Sequence, residues 1–481
     1  MIASNASSRA AAIAANRFGL GARPGDLQRI GSDAPGWLAA QLRAGAPLLA
    51  ASGLRSSQSV LREAIELRGE RAAQRRASRA APAADDSGDD TQLVAVAIKV
   101  AALYRPIYIQ EMTARFAQGV ATERSFVERL THFWSNHFAV SIDKIAVLGL
   151  AGAMEREAIR PQVLGTFPQL LLAVETHPAM LLYLDNHLSI GANSTAARFL
   201  ARRGGNRKIG INENLAREIL ELHTLGVDGG YTQQDVTTFA QVISGWSIGG
   251  PIGRGNLDGG EAGAFHFREA FHEPGSKTLL GRRFTSDGFD QGKAVLQELA
   301  LRPQTARHLA TKLARHFIAD EPPLAAVERL TQAYLDSRGD LPTLYRALLD
   351  SPQAWEQPLA KFKTPSDYIH SSFRALGVPV DDSRRALQPF EVLGQRNLAP
   401  GSPAGWPDRS ADWDGSSAVL KRVEWADAAG QRLGASRNAR ELADAVLGGT
   451  LSDATRTAIA RADSGAQALT LLLASPEFMR R

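Results

Sequence analysis

Helical periodicity is the feature that most restricts the folds open to this chain. Apolar residues recur at three- and four-residue spacing, as in helices with one apolar face, over residues 93–118, 123–138, 145–159, 212–225, 233–243, 305–317 and 324–337. We therefore predict a mainly α fold, a large multi-helix domain, because 481 residues easily bury a core. One β excursion is predicted within residues 264–284, where two alternating runs flank residues 272–275 as in a short hairpin.

Composition removes several classes of protein. The chain has no Cys, which excludes disulfides, thiolate metal ligands and a Cys nucleophile. A net charge of +5 is small beside 55 basic and 50 acidic residues, so a nucleic-acid binder ranks last among the alternatives. No apolar run reaches the length of a membrane span. Arg9, Asn16 and Arg17 interrupt the apolar stretch that a secretory signal needs, so we expect a cytoplasmic protein or a mature form.

The chain is predicted to form a single unit over residues 1–481. Residues 71–90 change from Arg-rich to Ala/Pro-rich to acidic, a composition typical of disorder, and we predict a disordered insertion there. Seven of the ten histidines lie between positions 132 and 272, so we place the functional core at residues 120–285 and a C-terminal helical part at 300–481. Residues 400–407 are predicted to be a rigid loop suited to covering a site.

Several established functional motifs are missing from the sequence. There is no dinucleotide fingerprint, phosphate-binding loop, HExxH metal motif or calcium loop. Any active site must therefore be predicted from clusters of polar residues.

The segment INENLAREILELHTLGVDGGYTQQD contains the densest such cluster. At about 100° per residue, one polar stripe carries Asn214, Arg217, Glu218 and Glu221, while His223 projects into the apolar arc. The functional interpretation makes a glutamate the general base or a metal ligand, His223 an acid/base group or ligand, and Arg217 an anion binder. The alternative is an amphipathic surface helix with one core histidine.

A second cluster lies in LTHFWSNHFAVS. His132 and His137 are about 140° apart on a helix, which does not suit one metal bound from one face. His132 shares its face with Asn136, so it is predicted either as an oriented acid/base imidazole or as part of an aromatic core helix.

The sequence does not identify a cofactor, and a divalent metal ion is one candidate. With no Cys, such an ion needs at least three convergent N or O ligands. The best chemical set is His132, His137, Glu218, Glu221 and His223, provided that their helices face each other.

Two further groups are candidates for substrate binding. Asp185 and Asn186 end a helix, where they either bind substrate or cap the backbone. His266, His272 and Lys277 flank the predicted hairpin, where they either bind an anion or form a solvated strand face. The basic segment KLARHF, which contains His316, is interpreted as a solvated helix face.

With these motifs in view, the chain resembles the bacterial domain-of-unknown-function 1800 family over nearly its whole length. The matching segments are RFGLGARPGDL at Arg17, HFWSNHFAVS at His132, HPAMLLYLDNHLS at His177, NENLAREILELHTLGVDGGYTQQDV at Asn212, ISGWS at Ile243, FHFREAFHEPGSKTLLG at Phe265, LATKLARHFIADEPP at Leu309 and LLASPEF at Leu472. The resemblance supplies no reaction. It implies a periplasmic or secreted location and a sulfatase-like partner protein.

Together these observations predict an enzyme that hydrolyses a polar or anionic substrate, small or polymeric, with metal or acid/base assistance. The predicted site combines the helix of His132, the loop of Asp185, the helix of Glu218 and the hairpin of Lys277. The alternative is a non-catalytic helical partner or assembly protein for a co-encoded sulfatase-like enzyme.

Overall fold

Helices form most of the fold, which confirms the predicted mainly α class. The computed structural model describes residues 2–49, 51–79, 89–202, 210–251, 259–356 and 359–481. The first helices are α1 (Ile2–Ile13), α2 (Asp26–Ile30), α3 (Ala34–Gln41), α4 (Ser57–Arg79), α5 (Asp89–Ala121), α6 (Ser125–His137), α7 (Ile145–Leu148) and α8 (Ala151–Met154). The middle of the chain forms α9 (Phe167–Glu175), α10 (Pro178–Tyr183), α11 (Thr195–Arg202), α12 (Asn214–Glu218), α13 (Gln233–Val242), α14 (Gly288–Ala300) and α15 (Pro303–Phe317).

The C-terminal part continues with short helices. They are α16 (Leu324–Asp336), α17 (Leu341–Leu349), α18 (Gln353–Glu356), α19 (Pro365–Leu376), α20 (Ser383–Val392), α21 (Ser416–Leu433), α22 (Ala439–Leu447), α23 (Asp453–Ala460), α24 (Gly465–Leu473) and α25 (Pro476–Met479). Helix α19 shows how they are delimited. The Thr364 side chain caps its first turn, Pro365 occupies the first helical position, and Gly377 ends it at φ +61°.

Two predicted helices contain π-helical turns. The segment 145–159 breaks into α7, α8 and a π-helix at Glu155–Ile159, and the segment 212–225 changes from α12 to a π-helix at Ile219–Thr224. Because a π-turn bonds each N–H to the carbonyl five residues earlier, side chains after it leave the positions that an α-helical wheel assigns. This change affects the directions of the Glu155 and His223 side chains.

The predicted short β excursion is present and contains a hairpin, and it consists of two small antiparallel sheets. Strand β1 (Trp246–Ile248) pairs antiparallel with β2 (Phe265–Phe267), and β3 (Lys277–Leu279) pairs with β4 (Arg282–Phe284). The predicted turn at residues 272–275 is therefore wrong, because β2 finds its partner outside the predicted range. The true hairpin turn is Leu280–Gly281, both at positive φ (+50° and +77°), as a two-residue type I′ turn requires.

One hydrophobic core joins the beginning of the described chain to its end. Buried apolar residues belonging to it run from Ala11 to Met479. The Asn16 amide donates to the carbonyl of Val446, and the backbone of Arg481 exchanges two hydrogen bonds with that of Lys361. No helix in the described ranges is long and apolar enough to cross a membrane.

The predicted insertion at residues 71–90 cannot be compared as a whole with the structure. Residues 80–88 lie outside the described residues, and their described neighbours are the end of α4 and the start of α5.

Candidate functional site

A polar cavity of about 90 Å³ lies where α6, α15 and the first turn of α19 meet the loop of residues 395–408. Its charged and imidazole-bearing lining residues are Arg115, Arg129, His132, His316, Asp367, Arg396 and Asp408. Such a concentration of titratable side chains around one cavity is the usual mark of a functional site.

The most specific pair in this wall is an imidazole with an orienting carboxylate. Nδ1 of His316 lies 3.0 Å from Oδ1 of Asp408, and Nε2 of His316 is buried without a hydrogen-bond partner among the residues that the structure describes. Burial lowers the pKa of His316 to about 4, so its ring is neutral at pH 7. A neutral ring that donates Nδ1–H to a carboxylate keeps its Nε2 lone pair free to accept a proton.

Asp408 is anionic in this pair. Burial alone would raise the pKa of Asp408, but its hydrogen bond with His316 and the charges of Lys361 and Lys312 outweigh burial and lower it to about 2. The carboxylate can therefore hold the imidazole in one orientation over the whole physiological pH range.

His132 forms another part of the wall, on α6. Its Nε2 is buried, 3.6 Å from Oε1 of Glu128 one turn earlier, and has no hydrogen-bond partner in the described part of the chain. Its ring centroid lies 5.1 Å from that of His370 on α19. Burial and the charge of Arg115 lower the pKa of His132 despite the glutamate, so this second imidazole is also neutral at pH 7.

A buried ionic network supports the cavity from behind. Arg160 donates to Glu128 at 2.6 and 3.0 Å and to Glu155 at 2.8 and 3.1 Å. Glu155, at the start of the π-turn, also accepts from Nε of Arg115 and from the hydroxyl of Ser135, both at 2.6 Å. Such charges are stable in a protein interior only when they are paired in this way.

Arg115 is a cation of the cavity wall with donors available to a ligand. Only its Nε is engaged, by Glu155, so the Nη groups have no protein partner among the described residues. By contrast, Arg129 donates to the carbonyl of Gly19 at 2.8 Å and to Asp367 at 2.9 Å. A guanidinium with free parallel donors suits a carboxylate, phosphate or sulfate.

The loop over the cavity is fixed to α6 by Asn136. Its amide nitrogen donates to the carbonyl of Trp406 and its amide oxygen accepts from the Trp406 N–H, both at 2.8 Å. Gly405 has φ +83°, and a Cβ there would overlap the carbonyl of Asn136. The predicted turn-rich loop at 400–407 thus borders the cavity that contains His132.

The helix of Glu218 does not join this cavity. His223 is fully buried, and its Nδ1 lies 2.8 Å from Oε1 of Glu175 on α9. Glu218 is half-buried and has no hydrogen bond to another described residue, and Glu221 accepts from Tyr231 at 3.3 Å. Glu218, Glu221 and His223 line none of the cavities described, so the structure does not bring them together with His132.

The residues predicted to bind a metal ion do not come together in the structure either. His137 is buried on the other side of α6 from the cavity, with Nε2 3.2 Å from the carbonyl of His223. In the described parts of the chain, no three His, Asp or Glu side chains are arranged to hold a metal ion.

The remaining predicted residues serve local structure. Asp185 pairs with Lys144 at 2.7 Å, and the buried amide of Asn186 donates to the carbonyls of Ile243 and Trp246. Arg217 donates to Glu213 at 3.3 Å and to Gln233, and the exposed Asn214 opens α12.

The predicted anion-binding residues of the β region have different surroundings in the structure. The ammonium of Lys277 donates to three carbonyls, of Glu273, Pro274 and Gly275, at 2.8–3.2 Å, so its donors are occupied. His266 lies on β2, paired with Ser247 of β1. His272 borders a separate cavity of about 410 Å³, where its Nε2 lies 3.5 Å from Asp287.

Sequence reasoning missed most of the cavity wall. Interpreting KLARHF as a solvated face was wrong for His316, because the ring is packed against Phe133 and Phe317 and only 12% exposed. A detectable signal was the position of His316 beside the apolar residue Phe317 in the last turn of α15. Asp408 and Asp367 carry no comparable signal, since each lies in a loop or at a helix start.

Fold and cavity together define a protein of many short helices that encloses a polar cavity with an Asp–His pair. The family model described as "Protein of unknown function (DUF1800)" matches residues 13–480, and the chain belongs to this family. A comparison with curated proteins finds no match, and neither does a comparison with solved structures.

Proposed function

We propose that the protein is a hydrolase that acts on an anionic substrate by acid–base chemistry in the cavity of His316. The observation that carries this proposal is the His316–Asp408 contact of 3.0 Å, which leaves Nε2 of this cavity-lining imidazole without a partner among the described residues. An imidazole oriented by a buried carboxylate is a common arrangement for general-base catalysis.

The reaction follows from the groups in the wall. Nε2 of His316 takes a proton from water, and the resulting hydroxide attacks the ester centre as the bond to the leaving group breaks. Arg115 binds the anionic group and stabilises the charge that develops on it. His132 supplies a second imidazole to hydrogen-bond the leaving oxygen. The proton held by His316 then passes to the departing alcohol.

The first experiment measures hydrolysis of 4-nitrophenyl phosphate and 4-nitrophenyl sulfate. We expect His316→Gln to lower kcat by at least about a hundredfold, since general-base catalysis typically contributes that much. Asp408→Asn should lower kcat as well, because an amide no longer selects the tautomer with free Nε2.

A matched control is available outside the cavity. Nε2 of His177 lies 3.2 Å from Oε2 of Glu157, so His177→Gln also removes an imidazole that contacts a carboxylate. This variant should keep its activity. Equal losses in His316→Gln and His177→Gln, or no turnover by the parent protein of any anionic ester, would contradict the proposal.

A second candidate function is supported by a different surface. A groove of about 540 Å³ between α20 and α21 has Phe373, Pro389 and Trp425 in its wall and a basic rim that includes Lys421 and Arg432. This groove fits the alternative of a partner for a sulfatase-like protein. Size-exclusion chromatography with that co-encoded protein would test it, because Trp425→Ala should abolish co-elution. Both candidates carry the expectation of an extracytoplasmic location, which cell fractionation would test.

A further inference from the structure

We propose that the substrate is a ring that bears one anionic group, bound end-on, with the anion in the cavity and the ring against Trp406 at its mouth. This inference rests on the proposed function, because it assigns the substrate class of the same site. It goes further than the proposed function because it excludes anionic groups at internal positions of a polymer as substrates, since only a terminal anion can enter the cavity.

The size of the cavity sets the first limit. A volume of about 90 Å³ is well below the roughly 150 Å³ of an engineered protein cavity that holds one benzene ring. That space accommodates a carboxylate or a tetrahedral oxyanion. It is too small to hold a sugar or aromatic ring in addition to that anion. The rest of the substrate must therefore lie outside.

Charge sets the second limit. Arg115, Arg129 and Arg396 are the cations that line the cavity and Asp367 and Asp408 the carboxylates, so the wall has one more cation than carboxylates. Arg115 adds free guanidinium donors. An anion is the group that these charges favour inside the cavity.

The mouth provides a flat surface for the ring. Trp406 lines the cavity and is partly exposed, and its indole makes no hydrogen bond among the described residues. Two hydrogen bonds to Asn136 fix its backbone, and its ring centroid lies 6.0 Å from that of Trp413. An indole held in place in this way can stack against a ring at little cost in conformational entropy.

Binding calorimetry tests the inference without requiring turnover. The probes are inorganic phosphate, phenyl phosphate and glucose 6-phosphate, and the proteins are the parent chain and His316→Gln. Phenyl phosphate or glucose 6-phosphate should bind about fivefold more tightly than inorganic phosphate, as expected for one ring contact. Which of the two shows the gain identifies the ring as aromatic or sugar.

The decisive variant is Trp406→Ala, with Trp37→Ala as its matched control, because Trp37 on α3 is also partly buried and does not line the cavity. Trp406→Ala should abolish the preference for the ring-bearing ligand and leave binding of inorganic phosphate unchanged, whereas Trp37→Ala should change neither. Equal affinities for all three probes in the parent chain, or a preference that survives Trp406→Ala, would overturn the inference. A ring preference without hydrolysis would instead contradict only the proposed function.

Discussion

Nδ1 of His316 lies 3.0 Å from Oδ1 of Asp408, although the two residues are 92 positions apart in the chain. The contact joins the last turn of α15 to the loop that borders the cavity. Because burial lowers the pKa of His316 to about 4, the fold holds this imidazole in its neutral form. The same is true of His308 on α15, whose pKa burial and the charge of Lys312 also lower to about 4.

Acid should therefore destabilise the protein before its carboxylates titrate. A histidine whose pKa falls from 6.5 when unfolded to about 4 when folded stabilises the fold fully above pH 6.5 and loses that contribution as the pH falls towards 4. Between pH 7 and pH 5, each of the two residues should cost about 2 kcal/mol of unfolding free energy. Urea denaturation at both pH values measures the loss.

The variant His308→Gln/His316→Gln isolates this effect. Its unfolding free energy should fall less between pH 7 and pH 5 than that of the parent chain, because two groups that titrate differently in the folded and unfolded states are gone. An identical pH dependence in the two proteins would show that these imidazoles are not neutral in the fold.

Arg160 should be essential for stability because it is the common partner of two buried carboxylates. It is fully buried, and its guanidinium donates to Glu128 and Glu155 and to the carbonyl of Pro47. Arg160→Met would leave Glu128 without its main cation and Glu155 with Arg115 alone, and we expect a loss of about 3–5 kcal/mol in unfolding free energy.

A surface pair provides the comparison for Arg160. Arg456 contacts Asp444 with both side chains about half exposed (50% and 56%), so Arg456→Met should cost less than about 1 kcal/mol. Chemical denaturation of the two variants measures the difference. Similar small losses would mean that the buried network contributes little to the fold.

How well each part of the fold could be predicted depends on how far apart in the sequence its interacting residues lie. Helices α6, α13, α15 and α16 lie within one or two residues of their predicted ends at most termini, since apolar spacing is a local signal. The β region was located, but its pairing was not. Trp246–Ile248 reaches β2 across a long connection, and nothing within residues 264–284 indicates that partner.

The cavity was harder to predict than the helices for the same reason. His132 and Asn136 were selected because they share one helix face, and both line the cavity. His316 and Asp408 come together only through tertiary packing, and one sequence contains no measure of that distance. The π-turn at Ile219–Thr224 adds a further difficulty, because an α-helical wheel does not describe the positions that follow it.

Lys277 should behave as a structural cation and not as an anion binder. Its ammonium donates to three backbone carbonyls in the segment that links β2 to β3. Lys277→Met would leave these carbonyls without their donor, and we expect a loss of about 2 kcal/mol or more. Phosphate affinity, measured by calorimetry, should stay unchanged. Weaker phosphate binding at equal stability would reverse this assignment.

The buried pair of His223 and Glu175 should be a stabilising unit whose two members depend on each other. Nδ1 of His223 lies 2.8 Å from Oε1 of Glu175, and both side chains are at most 1% exposed. His223→Leu would leave a buried carboxylate without its partner, and Glu175→Leu would do the same to the imidazole. Each single variant should lose about 3 kcal/mol or more of unfolding free energy.

The double variant His223→Leu/Glu175→Leu distinguishes this structural role from a catalytic one. Because it removes both polar groups, it should be more stable than the sum of the single losses predicts, by about 1–3 kcal/mol in a double-mutant cycle. Its turnover of the nitrophenyl esters should equal that of the parent chain at a temperature where both are folded, since neither residue lines the cavity of His316. Additive stability losses together with lost turnover would make His223 a catalytic candidate again.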